Sequence, residues 1–394
     1  MNRTTRVLTG TIVILLFVLV PFAFGQVIPE DPTQGGRLFV SKGCANCHAI
    51  KGEGGKIGPD LSTIDLGNTR LNLAAKIWNH TPSMMAQMES KGMTQPTLTG
   101  QELAELAAYL YFVRFLDEPG NPTKGRTVYY EKGCSICHPS SGKGREGAPA
   151  LEGFPRNVSP VFLSQAIWNH CLDMIVRMVE IGLKWTQFWE TEMMDLLEYI
   201  KTYAHGAEEP AFVKPGNPKE GKEVFMAKGC MQCHSIRGEG ARGGVDLGEK
   251  AETYYSSLTQ IASSMWNKGP KVLVKIAQTQ CGMPKFAPKE MSDLLAYLYS
   301  LHFIDEPGNR INGERIFSSL GCSQCHGPDR KPGNLIYIDL SKYETAAEME
   351  IVADMWNHSK EIQKAVGEQN MPWPQFKEGE LADILQFIRN PRKK

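Results

Sequence analysis

Cys44-Ala45-Asn46-Cys47-His48, Cys134-Ser135-Ile136-Cys137-His138, Cys230-Met231-Gln232-Cys233-His234 and Cys322-Ser323-Gln324-Cys325-His326 repeat one pattern, two thiols followed at once by an imidazole. The spacing suits a specific chemistry. Two thiols bond the two vinyl groups of one porphyrin, and the next residue, His, is then held beneath the iron as proximal ligand. Gly43, Gly133, Gly229 and Gly321 precede the four pairs. The pattern predicts four covalent haem c groups held by Cys44, Cys47, Cys134, Cys137, Cys230, Cys233, Cys322 and Cys325. Their proximal ligands are expected to be His48, His138, His234 and His326, and their use to be electron movement. Two zinc sites of four thiolates each are the competing chemistry. The His after every pair and the helical segments between pairs argue against zinc, and no βαβ pattern supports thioredoxin-like chemistry.

The first cysteines are spaced by 90, 96 and 92 residues, which implies four units of one architecture in the 394-residue chain. Each unit is small for its own core, so a buried haem would supply missing apolar surface. The 43 basic and 43 acidic residues give zero net charge, which favours neither nucleic acid nor a strongly anionic surface. Of ten cysteines, Cys171 and Cys281 lie outside the motifs. They read as buried free thiols, with a disulfide between units two and three as the less favoured alternative.

Residues 1–25 read as a signal peptide: Arg3 and Arg6, an apolar run over 7–24, then Ala23-Phe24-Gly25 before Gln26. An uncleaved membrane anchor formed by 7–24 is the alternative. Both place the haem units outside the cytoplasm, in a periplasmic or similar compartment. Three turn-rich linkers follow, around Pro119-Gly120-Asn121, Pro215-Gly216-Asn217 and Pro307-Gly308-Asn309. They divide the chain into expected domains at 30–116, 120–205, 216–303 and 308–390.

Within each unit the landmarks are fixed. A Gly (35, 125, 221, 313) lies nine residues before the first cysteine, and an aromatic (Phe39, Tyr129, Phe225, Phe317) lies five before it. Both fall on one face of a first helix, where Gly would let a second helix approach closely. That closing helix starts at Glu102, Glu192, Glu290 or Glu380, with an aromatic seven residues on at Tyr109, Tyr199, Tyr297 or Phe387. Between the two lies Trp-Asn, at Trp78, Trp168, Trp266 and Trp356. These Trp residues read as core, or as indole donors to a haem propionate.

This arrangement resembles the class I cytochrome c family, four times over almost the whole chain. The resemblance implies an all-α fold of four tandem cytochrome c-like helical domains, each wrapped around one covalent haem. It also implies a Pro whose carbonyl holds the proximal His, a role that fits Pro59 and Pro149. Units three and four instead carry Val245-Asp246-Leu247 and Ile338-Asp339-Leu340, without that Pro.

The distal ligand in this family is usually Met in the loop before the last helix, and a thioether favours reduced iron. Met371 before Pro372 and Met283 before Pro284 match that pattern. Unit two has Leu183 in register with Met371, but carries Met174 and Met178 after His170. Unit one carries Met84 and Met88 after His80, and also Met93 in register with Leu183. Met88 and Met178 are the expected distal ligands there; Met84, Met174 and Met93 stay open. His80, His170 and His358 are matched by Lys268 in unit three, which argues against a shared ligand role.

The function expected is an exported tetrahaem relay between redox protein donors and acceptors, including a membrane respiratory complex. The alternative is a peroxidase-like enzyme, the haem subunit of an oxidoreductase, or a gas sensor. Each would need an open haem, with unit two the expected place.

Overall fold

The computed structural model describes residues 32–67, 69–208, 214–248, 257–278, 282–326 and 343–390. The expectations for the N-terminal signal or anchor, for Cys281 and for Ile338 lie outside these residues. Among the described residues no helix is long and apolar enough to cross a membrane.

The chain is mostly helical. Unit one holds α1 (Pro32–Ser41), α2 (Arg70–Ser90) and α3 (Gly100–Phe115); unit two holds α4 (Pro122–Glu131), α5 (Pro160–Glu180) and α6 (Glu192–Lys201). Unit three holds α7 (Pro218–Ala227), α8 (Leu258–Gln278) and α9 (Pro288–Ser300). In unit four α10 (Arg310–Ser319) leads, α11 (Glu348–Asn357) and α12 (Ser359–Glu368) split the middle helix at His358, and α13 (Glu380–Arg389) closes.

The first and last helices of each unit cross where the landmark glycines stand. A Cβ on Gly35, Gly125, Gly221 or Gly313 would lie 1.9 Å from the carbonyl oxygen of Glu105, Asp195, Asp293 or Asp383. The landmark aromatics then meet: Phe39 with Tyr109 at 5.7 Å, Tyr129 with Tyr199 at 5.3 Å, Phe225 with Tyr297 at 5.6 Å, Phe317 with Phe387 at 5.4 Å. Asn121, Asn217 and Asn309 cap α4, α7 and α10 with their side chains. Their own N–H groups donate to Asp195, Asp293 and Asp383 on the closing helix. Lys42, Lys132 and Lys228 pair with the leading glutamates Glu102, Glu192 and Glu290 at 2.7–2.9 Å.

Two short hairpins depart from an all-helical reading: Ala49–Ile50 with Glu53–Gly54, and Ser235–Ile236 with Glu239–Gly240. Both turn through two left-handed residues, Lys51-Gly52 and Arg237-Gly238, the geometry that suits a tight hairpin.

The Trp-Asn motifs join units rather than serve their own. Each Asn side-chain amide takes both backbone groups of one residue in another unit. Asn79 donates to Phe376 O and accepts from Phe376 N, each at 2.8 Å. Asn357 does the same to Leu98 at 2.7 and 2.9 Å. Asn169 holds Phe286, and Asn267 holds Phe188, all at 2.8–2.9 Å. The preceding indole N–H donates two residues upstream, from Trp78 to Pro374 O, Trp356 to Pro96 O, Trp168 to Pro284 O and Trp266 to Thr186 O. Units one and four therefore clamp each other, as do units two and three. Propionate donation by these indoles is ruled out, because the N–H is already spent on a carbonyl.

Small residues sit one turn beyond each clamp: Thr81, Cys171, Gly269 and Ser359 are all buried. A Cβ on Gly269 would meet Cys171 Sγ at 2.9 Å, so α5 and α8 cross there. Cys171 is a free buried thiol among the described residues.

Units one and three also touch directly, with matching contacts. Asp117 in the first linker accepts from Thr259 N on α8, and Asp305 in the third accepts from Leu71 N on α2. Within each of the two units a matching ion pair holds the linker, Lys51 with Glu118 and Arg237 with Glu306. Tyr111 stacks on Phe303 at 4.1 Å, and Phe115 lies 4.2 Å from Tyr299. One half of the chain (units one and two) thus meets the other (units three and four) through repeated contacts with the roles exchanged. One core runs mainly through units one, three and four, while unit two has a second cluster that includes Ala262 of unit three.

Two outcomes follow for stability. Gly221→Ala puts a methyl into a backbone carbonyl and is expected to cost ~3 kcal/mol, the upper end for overpacking, measured by denaturant unfolding. Asn79→Asp keeps the acceptor for Phe376 N but sets a carboxylate against Phe376 O; it is expected to cost ~2–3 kcal/mol. Asn79→Gln, with the amide misplaced by a methylene, should not restore the loss.

Candidate functional site

Each Cys-x-x-Cys-His run is a single 3-10 turn. The glycine before it is left-handed, φ 76 to 82° at Gly43, Gly133, Gly229 and Gly321, a conformation that favours Gly. The His N–H then bonds back to the first cysteine's carbonyl at 2.8–2.9 Å in all four units. This fixes both thiols and the imidazole on one short loop. Burial pushes the first thiol of each pair up, to about 11 in Cys134, Cys230 and Cys322, and also upward in Cys44. Among the described residues no cluster of three His, Cys, Asp or Glu side chains is arranged to hold a metal ion by itself.

The imidazoles are aimed by the backbone. His48 Nδ1 lies 3.0 Å from Pro59 O, His138 Nδ1 2.9 Å from Pro149 O, and His234 Nδ1 2.9 Å from Val245 O, each eleven residues along. A carbonyl accepts, so Nδ1 carries the proton and Nε2 keeps its lone pair for a metal. The missing proline in unit three therefore does not remove the proximal bond, because the acceptor is main chain and Val245 supplies it equally well. In unit four the loop that would hold the matching carbonyl lies outside the described residues; His326 Nδ1 is buried without a partner among those described.

The residue after that carbonyl anchors the loop in units one and three. Asp60 accepts from Ser62 Oγ and from the N–H groups of Gly52, Ser62 and Lys51, which hold its carboxyl below the usual range. Burial pushes Asp246 up, but bonds from Gly238 N, Gly248 N, Ser235 Oγ and Arg237 N outweigh it and hold the carboxyl at about 2. Gly58 and Gly244 complete the seat, since a Cβ there would strike His48 Cε1 at 2.4 Å or His234 Cε1 at 2.8 Å.

Unit four shows the chamber above this loop. A cavity of about 440 Å³ is lined by Cys322, Cys325 and His326 on one side and by Ile362, Val366 and Met371 among others. Its walls are largely apolar, the volume suits a small-molecule cofactor, and thiols, imidazole and thioether all face it. These residues fit a covalently held haem. Ile362 and Val366 occupy the helix positions where unit one has Met84 and Met88, and unit two has Met174 and Met178. The latter four are partly buried. The equivalent helix face thus carries a Met pair in two units and aliphatic residues in unit four. His358 also lines the cavity and lies 3.6 Å from Glu361, whereas His170 Nδ1 is spent on Ala166 O at 2.9 Å.

The clamps fix the register of the loops that precede the closing helices. Met93, Leu183 and Met371 each stand three residues before the carbonyl that takes an indole N–H. All three reach the left-handed glycine of their own unit: Met93 Cε at 3.7 Å, Leu183 Cδ2 at 3.2 Å and Met371 Cε at 2.2 Å from a Cβ placed there. Met283 lies immediately before Pro284, whose carbonyl takes Trp168 N–H. It is level with Gln95, Trp185 and Trp373, two residues beyond the place of Met371. Sequence spacing agrees: Met93, Leu183 and Met371 lie nine residues before the leading Glu of their closing helix, and Met283 lies seven before Glu290.

The model of the cytochrome c family matches residues 33–111, 218–302 and 311–391, and the chain belongs to that family. The matched segments are units one, three and four; unit two shows the same turn, crossing glycine and aromatic pair without being matched. No curated protein and no solved structure matches the chain. Family membership with four cysteine pairs implies covalent haem c and haem-based electron transfer.

Asp246 gives a pH-dependent outcome. Its folded value of about 2 lies below the ordinary ~3.9 of an unfolded Asp. The unfolded chain therefore takes the proton first as pH falls, so the Asp246 contribution is full above about pH 4 and is lost toward pH 2. Asp246→Ala is expected to lower the urea midpoint at pH 7 and to flatten its decline across that window.

Proposed function

We propose that this chain is an exported four-haem electron carrier that passes electrons between redox proteins, including a respiratory complex at a membrane. The observation that carries the reading is the fourfold recurrence of the turn that sets two thiols beside one imidazole. Three of these imidazoles have Nδ1 bonded to a carbonyl eleven residues on. The Arg-containing, apolar N-terminal run supports export or a membrane anchor.

One haem c bound in each unit supplies reversible one-electron chemistry. The protein does the rest. Cys44 and Cys47, and their counterparts at 134/137, 230/233 and 322/325, form the thioether links. His48, His138, His234 and His326 present Nε2 from below, and the carbonyls of Pro59, Pro149 and Val245 hold the first three rings in place. Met371, which lines the same cavity as Cys322, Cys325 and His326, would supply the distal thioether in unit four. Met283 serves unit three from the same loop, while Met88 and Met178 serve units one and two from the helix face level with Val366. The largely apolar walls of the unit-four cavity would keep water from a bound iron, and thioether ligands would favour its reduced state.

A second reading has one observation behind it. Unit two carries Leu183 at the place of Met371, leaving only the helix Met pair to close its site. An open haem there would bind gases or do peroxidase-like chemistry.

The test is optical and magnetic circular dichroism of the purified protein, oxidised and reduced, with and without carbon monoxide. A haem count of four per chain and no response to carbon monoxide is the expected result. Met371→Ala should then admit carbon monoxide at about one haem equivalent. A response of one equivalent in the unmodified protein, abolished by Cys134→Ser with Cys137→Ser, would put the enzyme or sensor reading of unit two first.

A further inference from the structure

The haem chamber of unit four is not built by unit four alone. Trp78, on α2 of unit one, lines it together with Pro374, Phe376 and Met371. The indole is 5% exposed. It stacks on Trp373 at 4.5 Å with 27° between planes, and lies 6.0 Å from Phe376. Its N–H donates to Pro374 O at 2.7 Å, and its own carbonyl accepts from Trp373 Nε1 at 3.1 Å. Asn79 then holds Phe376 by both backbone groups. The segment carrying Met371 is thus pinned, three and five residues further on, by side chains of another unit.

The opposite direction is built alike. Trp356 and Asn357 of unit four hold Pro96 and Leu98, just past Met93 of unit one, and Gln95 adds bonds to Trp356 O and Ser359 Oγ at 2.8 and 2.9 Å. Between units two and three, Trp185 stacks on Trp266 at 4.0 Å, and Trp168 meets Phe286 at 5.9 Å.

We infer that the four haem sites work as two composite pairs, one with four and two with three. In each pair the distal wall of one site is positioned by the Trp-Asn motif of the other. This rests on the haem reading above and goes beyond it, because the pairing ignores chain order and makes the redox potential of one centre depend on its partner's helix. The physical route is local. Loss of the indole N–H frees the Pro374 carbonyl and loosens the wall that sets polarity and ligand position, the two features that tune a haem iron. Trp78 is accordingly a positioning residue for unit four, and Trp356 for unit one.

The test is a redox titration of the full haem-loaded protein. Cys322→Ser with Cys325→Ser removes one midpoint and so identifies unit four; Cys44→Ser with Cys47→Ser identifies unit one. Trp78→Phe, which keeps a ring but lacks the N–H, is expected to shift the unit-four midpoint and leave that of unit one in place. Trp356→Phe should do the reverse, and decides the matter if Trp78→Phe does not fold. The inference is overturned if a variant with wild-type circular dichroism moves its own unit's midpoint, or none. If instead the paired cysteine variants lose no haem, it is the haem reading that fails.

Discussion

A single side-chain amide, placed so that it reads both backbone groups of one residue in a different unit, organises this molecule. Asparagine offers one donor and one acceptor at the spacing of a peptide group. Four times it closes on a loop residue whose N–H and C=O would otherwise be buried unpaired, a situation that carries a high energetic cost. The adjacent indole repeats the operation two residues upstream. Remove this constraint and the loops facing the haem chambers lose their far support, leaving units one and three joined by their direct contacts. Everything nearer the cysteines is held within its own unit and is independent of the clamp.

That division explains what could be read from sequence. The haem turns, the crossing glycines, the facing aromatics and the leading glutamates are local or recur at fixed intervals, so spacing alone exposes them. Gly35 and Glu105 are far apart in the chain, yet the helical pattern around each announces a close crossing. The role of Trp78 was not legible. Its partner Pro374 is 296 residues away, and nothing local distinguishes an indole that packs in its own unit from one that reaches into another. The sequence left core packing and propionate donation both open for these indoles; Trp78 and Trp356 are buried and all four donate to backbone.

Two further readings turned on what a side chain does not do. Pro59 and Val245 look unlike one another, but the imidazole needs only a main-chain oxygen, and the loop is shaped by the aspartate that follows. The sequence difference was visible and chemically silent. The distal methionines show the converse. Met283 and Met371 look equivalent before a proline, yet the clamp register sets them two residues apart. The offset is present in the spacing to the closing helix, nine residues against seven, but its meaning shows only once the clamp ties each loop to a fixed carbonyl. Unit two carries the same skeleton with Leu183 in that place, which is where the chemistry of the four units diverges most.

The clamp between units two and three spans 79 to 117 residues, whereas that between one and four spans 259 to 297. A chain made from its N-terminus can therefore complete the inner pair while its last quarter is still being synthesised. The outer pair must wait, with the loop around Leu98 and the helix face around Trp78 uncovered until residues 356 to 376 arrive. Closure of so long a loop is slow, and transiently exposed apolar surface invites misassembly. The first unit to emerge is thus completed only together with the last.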